Sequence, residues 1–325
     1  MAKPKVAFYW CASCGGCEEA VVDLNEDILK VVDAVDIVFW PVALDFKYKD
    51  VEAMKDGEIA VSFINGAVRI GEQEEVVKLL RKKSGLVIAF GSCAYLGGIP
   101  GLANLWNRET IFNRVYKLVP TVTNEEGTFP QEKTKVADNE LTLPAFFDTV
   151  NTVGQVIDVD YYLPGCPPPP DLIMQAVTAI LEGKLPDKGA VLAPDKSLCD
   201  TCPRGEKKPE KLTMKEIKRV HQIIPDTEKC FLEEGIICLG PATRSGCGER
   251  CINGNMPCRG CFGPTKEVMD QGAKMISAIA SILGLEGEEN MSDEDVRKLI
   301  EQIVDPVGTF YRFSLPSSLL KRKIM

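Results

Sequence analysis

Apolar positions along the first half of this chain repeat in two alternating ways. Short β-branched and aromatic runs at 5–10, 36–40, 59–64 and 86–90 have the length of strands buried in a parallel sheet. Between them apolar side chains return every three or four residues, as on one face of a helix. Val21, Val22, Leu24, Ile28, Leu29 and Val32 do so within 18–32, and Val76, Val77, Leu79 and Leu80 within 74–83. Beyond 112–155, a stretch with no readable motif, 156–163 predicts a fifth strand and 171–181 a helix stopped by Gly183. Strands alternating with helices predict an α/β fold built on a flavodoxin-like, doubly wound parallel sheet.

Near Gly189 the pattern changes. From 197 to 263 the chain is rich in Cys, Gly, Pro and charge and shows little periodicity, so it is expected to bury little apolar surface by itself. Periodicity returns at 265–283, where Val268, Met269, Met275, Ile276, Ile279, Ile282 and Leu283 predict a core-facing helix ending at Gly284. Ser292-Asp-Glu-Asp295 resembles a capping box opening a last helix to about 304. Two domains are expected: residues 1–188, and a cysteine-rich, loop-and-helix domain over 189–325.

With 325 residues and 45% hydrophobic content, the chain can bury a sizeable core. No apolar run is long enough to span a bilayer, and the first residues lead directly into a strand, so no membrane insertion and a cytoplasmic address are expected. A net charge of −9 argues against nucleic acid or an anionic membrane as the main partner. The short run Lys321-Arg322-Lys323 does not reverse this. Phosphate-loop, dinucleotide and zinc-protease motifs are missing. The single histidine, His221, reads as an exposed residue of an amphipathic stretch at 214–224 and leaves little for Ser-His-Asp chemistry. No residue is assigned a catalytic role; the chain is expected to move electrons rather than break bonds.

That expectation comes from thirteen cysteines, which in a reducing compartment point to metal rather than to disulfides. Cys14, Cys17, Cys93 and Cys166 each fall just past a predicted strand, and an open α/β sheet presents its ligands at that edge. Cys199-x-x-Cys202 with Cys230 and Cys238 forms a second group of four, and Cys247, Cys251 and Cys258-x-x-Cys261 a third. Cubane iron–sulfur clusters take four thiolates each, and three groups account for all but Cys11, read as a buried structural thiol. Zinc is the alternative for 199–261, where Cys pairs of this spacing also staple loops. It suits the first group less, whose ligands are spread over a domain that has its own core. Gly15 and Gly16 allow a tight turn and expose N–H groups to sulfur, a helix beginning near Glu18 aims its positive end there, and Pro164 with Pro167 to Pro170 stiffens the loop around Cys166.

The motifs C-G-G-C-E-E at 14–19, G-S-C-A at 91–94 with G-G-I-P-G at 97–101, and P-G-C-P-P at 164–168 resemble the small subunit of [NiFe] hydrogenases. The likeness covers nearly the whole chain and is strongest to the F420-non-reducing, or methyl-viologen-reducing, gamma subunits of methanogens. It implies three [4Fe-4S] clusters: a proximal one on Cys14, Cys17, Cys93 and Cys166, a medial one on Cys247, Cys251, Cys258 and Cys261, and a distal one on Cys199, Cys202, Cys230 and Cys238. Periplasmic members commonly carry histidine where Cys199 stands and a three-iron medial cluster, so this chain departs from them. The resemblance further implies a large subunit bearing the nickel–iron centre, a small iron–sulfur adaptor (delta) subunit, and heterodisulfide reductase as the destination of electrons. A complex-I-like quinone reductase subunit shares the first half, but that family has two adjacent cysteines where this chain has Cys14-Gly-Gly-Cys17. A zinc-stabilised scaffold is the alternative from another class.

Overall fold

The computed structural model describes residues 3–283 and 292–322. Its strands, among the described residues, are β1 (Lys5–Trp10), β2 (Asp36–Phe39), β3 (Ile59–Asn65), β4 (Val68–Ile70), β5 (Ser84–Phe90), β6 (Lys133–Val136), β7 (Asn139–Thr142), β8 (Phe146–Asn151) and β9 (Tyr161–Leu163). Five of them form one parallel sheet in the order β2-β1-β3-β5-β9, the arrangement of a doubly wound α/β sheet. Successive side chains of each strand enter different cores. Phe8, Phe63, Ile88 and Phe90 pack on one face with Val21, Val31 and Ile173, while Tyr9, Ile64, Val87 and Ala89 pack on the other with Val76, Val77 and Leu80. Burial on both faces explains why these strands read as unbroken apolar runs. Each fully buried side chain of this kind contributes about 1.5–3 kcal/mol.

Of the five strands expected, four agree to within two residues and the fifth, β9, is shorter, with residues 156–160 leading in as irregular backbone; β4, β6, β7 and β8 have no counterpart in the sequence reading. The single helix expected over 18–32 is two helices, Gly16–Val22 and Asp27–Ala34. Asn25 between them takes a left-handed conformation (φ 52°), which no helix continues through. The stretch without a motif is ordered: a helix at Arg108–Asn113, an exposed β6–β7 hairpin, and β8 paired antiparallel with β4.

The cysteine-rich half departs further from expectation. Leu198, Phe231, Ile236, Leu239 and Ile252, from the stretch expected to bury little, form a third core with Met275, Ile279, Phe310 and Leu315. These apolar residues are delivered by loops at irregular intervals, so no period betrays them. The helix expected over 265–283 begins at Gln271, capped by Asp270 through the Ala273 amide at 2.9 Å, and ends at Ile282. Only part of its expected core face is buried; Met269 lies before it and is 84% exposed, and Ile276 points outward. The expected stop, Gly284, lies outside the described residues. Residues 214–224 are not helical: Met214 and Lys218 make isolated bridges to Leu283 and Ile236, and His221 is exposed in a turn. Ser292 does cap the helix Asp293–Glu301. Among the described residues no helix is long and apolar enough to cross a membrane.

Candidate metal centre

Three loops meet at the carboxyl edge of the sheet. After β1 the chain turns at Gly15 (φ 86°) into Gly16–Val22, which puts Cys17 in the first turn of that helix with Cys14 just ahead of it. After β5, Gly91 leads into the short helix Ser92–Leu96 and sets Cys93 in its first turn. After β9, Cys166 stands in the loop before Pro170–Leu181. The second and third loops are joined by the Gly91 amide on the Leu163 carbonyl (2.8 Å) and the Ser92 amide on that of Gly165 (2.7 Å).

The four thiols are close enough to act on one another. Burial first, then Cys93, Cys166 and Cys14, raises Cys17 far above the usual thiol range. Cys93 is pushed up to about 12 by burial, then by Cys166 and Cys14, with the Ile99 amide opposing. Cys17 and Cys93 are buried, while Cys14 and Cys166 are exposed, so the group is open on one side. A methyl at Gly91 would overlap the Cys17 sulfur, and one at Gly98 the Cys93 sulfur; both glycines have positive φ. The Gly16 amide donates to Cys14 Sγ at 3.4 Å.

Behind the turn lies a buried carboxylate that the sequence pattern did not flag. Glu18 is 4% exposed and accepts hydrogen bonds from Asn65 Nδ2 (2.6 Å) and Trp40 Nε1. Burial raises it, while these two bonds favour its charged form. Asn65 Oδ1 accepts from Ser13 Oγ at 3.0 Å, which accepts from the Gly15 amide at 3.3 Å. The network fixes the turn that carries Cys14 and Cys17. Its only trace in the sequence is a Glu directly after Cys17, a signal too common to read.

The other cysteines also gather. Cys199 is pushed up to about 12 by burial, then by Cys238, Cys230 and Cys202. Cys261 is pushed up to about 12 by burial, then by Cys166, Cys247 and Cys251. Cys258 is raised by burial, then by Cys238 and Cys261, and its amide donates to Cys238 Sγ at 3.3 Å. The third group therefore shares a cavity wall with Cys166 of the first, and meets the second at the Cys258 amide and Cys238 Sγ. A cavity of about 350 Å³, walled by Cys247, Cys251, Cys258, Cys261, Cys166 and Phe262, lies within it. Cys11 joins none of these; it is buried among the side chains of the opposite sheet face with Tyr9 and Phe39.

All thirteen thiols are free. The residues fit thiolate-bound iron–sulfur: the donors are sulfur only, glycines leave room beside them, and amides point at them. Among the described residues no three His, Cys, Asp or Glu side chains converge tightly enough for a single ion. Burial that disfavours a bare thiolate is offset once a cationic group takes the sulfur.

Residues 14–180 match the family described as NADH ubiquinone oxidoreductase, 20 Kd subunit. The iron-sulfur subunit of the F420-non-reducing hydrogenase of Archaeoglobus profundus is 42% identical, the match covering 98% of each chain. The corresponding F420-non-reducing hydrogenase subunit of Methanothermobacter thermautotrophicus is 41% identical over 99% of this chain and 97% of its own. Among solved structures, the [NiFeSe] hydrogenase of Desulfovibrio vulgaris Hildenborough shares the fold, with a TM-score of 0.52, 18% identity, and coverage of 82% of this chain and 95% of that one.

Proposed function

The chain belongs to the small-subunit family of [NiFe] hydrogenases, alongside its F420-non-reducing hydrogenase relatives, and from that premise we propose that it conducts electrons between the large subunit and a downstream acceptor. It is a non-catalytic subunit of an oxidoreductase complex. The family match at 14–180 covers the half that a complex-I-like subunit would share, whereas the full-length relatives run through all three cysteine groups.

In this reading Cys14, Cys17, Cys93 and Cys166 hold the proximal cluster and face the nickel–iron centre of the large subunit. Cys247, Cys251, Cys258 and Cys261 hold the medial cluster; Cys199, Cys202, Cys230 and Cys238 hold the distal one. Each [4Fe-4S] group supplies one-electron carriage at a potential set by burial, hydrogen bonds to sulfur and nearby charge. The chain's own residues space the sulfurs, exclude water at Cys17, Cys93, Cys238 and Cys258, and leave Cys14 and Cys166 at an open edge for the partner. Residues 1–188 form the flavodoxin-like domain with the first group, and 189–325 an iron–sulfur domain with the other two. The chain works in the cytoplasm and passes electrons to a small iron–sulfur adaptor that feeds heterodisulfide reductase.

The observation that carries the reading is the continuity of the thiols: the third group lines one cavity with Cys166 of the first, and meets the second where the Cys258 amide donates to Cys238 Sγ. Anaerobic purification with its partners tests it. A brown complex is expected, with about twelve iron atoms per copy of this chain beyond those its partners hold, and with a nickel-bearing large subunit. A colourless protein containing zinc would replace the conductor with a stapled scaffold.

A further inference from the structure

On a chain of net charge −9, one cleft gathers cations. It is lined by Lys218, Arg219, His221, Arg259 and Arg312, with a volume of about 120 Å³. Arg259 directly follows Cys258 in the chain and lines the cleft together with Arg219 and Arg312. Among the described residues none of these three arginines makes an ion pair. One carboxylate lines the cleft with them, that of Asp305, whose Oδ1 accepts from the Gly308 amide at 2.9 Å, and Lys218 is paired with Glu216 at 2.5 Å, so the excess of positive charge rests on the three arginines. Apolar side chains stand exposed at the rim. Val304 lines the cleft at 69% exposure, and Ile224, three residues past His221, is 94% exposed.

Three guanidiniums that share a cleft with a single carboxylate leave an excess of like charge, and a further carboxylate arriving from outside relieves that cost. Arginines beside exposed apolar side chains have the composition of a protein interface rather than of a solvated surface. We infer that this cleft docks an acidic protein, whose carboxylate side chains enter between Arg219, Arg259 and Arg312, and that this protein is the electron acceptor. The inference rests on the reading above, which places two cluster-holding groups at Cys238 and Cys258, directly behind Arg259. Docking there brings an acceptor to the part of the chain from which electrons leave.

The test uses the anaerobically purified complex of this chain with its large subunit, free of the adaptor, with a small acidic [4Fe-4S] ferredoxin and methyl viologen as alternative acceptors of electrons from H2. Wild-type reduction of ferredoxin is expected to slow as salt is added, because steering between opposite charges is screened. In the variant Arg219→Glu with Arg312→Gln, kcat/KM for ferredoxin at low salt should fall about tenfold and lose most of its salt dependence, with viologen reduction unchanged. Arg219→Lys should retain most of the ferredoxin rate. Equal ferredoxin kinetics in wild type and variant, or a parallel loss with viologen, would overturn the inference. So would inhibition by inorganic phosphate at matched ionic strength with an unaltered ferredoxin KM in the variant, the mark of a small-anion site. Cys199→Ser probes the underlying reading separately: ferredoxin reduction unaffected by that change would remove the second group from the path, whatever the arginine variants do.

Discussion

Gly91 and Gly98 show how little space the first cysteine group leaves around its sulfurs. Any side chain there must displace the sulfur of Cys17 or Cys93, and positive φ adds about 1–2 kcal/mol of backbone strain for a residue with a Cβ. Gly91→Ala or Gly98→Ala is therefore expected to lower iron and sulfide content of the anaerobic protein by about a third while the other two groups keep theirs, measured by iron and sulfide analysis. Replacing the proposed ligand is the companion test: Cys17→Ser should impair H2-driven viologen reduction while the large subunit keeps its metal, and unaltered turnover would remove Cys17 from the path. The cysteines were legible because their chemistry is scarce and their spacing is repeated. Glu18 and Asn65 were not, because a buried carboxylate is recognised by its surroundings, here Trp40 and Ser13, which sequence separation hides.

At the scale of elements, the strands could be read because burial on both sheet faces leaves a run of apolar residues that little else produces. Breaks were harder: Asn25 ends a helix through one backbone angle, and β9 is short because the residues before it serve another purpose. Asp160, at that junction, accepts from Arg81 Nη1 (2.6 Å), Lys188 Nζ (2.5 Å) and the Val87 amide (2.8 Å), pinning β9 against β5. Burial alone would raise its carboxyl, but Lys188, Arg81 and the Val87 amide outweigh burial and hold it below the usual value. A depressed folded pKa means that the contribution is complete above the unfolded value and disappears as pH falls through the folded one. Asp160→Asn is expected to cost about 1–3 kcal/mol near neutral pH, with the gap to wild type closing below about pH 4, as followed by thermal unfolding across pH. A gap that persists undiminished at low pH would show that the charge is not what pins the strand.

Across the whole molecule, the cysteine-rich half is held by its own apolar core as well as by whatever its thiols bind, and the sequence concealed that core by spreading it over loops. The half is therefore expected to keep part of its packing when one group is lost. Because the third group lies between the others, Cys261→Ser should leave the first reducible by H2 and the second oxidised during freeze-quenched turnover, read by electron paramagnetic resonance. Simultaneous reduction of both would show that electrons bypass the middle.

Cys14 and Cys166 remain open to solvent at the rim of the sheet while Cys17 and Cys93 are enclosed. In a chain made without its neighbour, that rim is where dioxygen arrives first. If this group holds the cluster proposed for it, manufacture acquires a schedule: the subunit must be capped soon after it is loaded, and an orphan copy left in air should corrode from this corner inward.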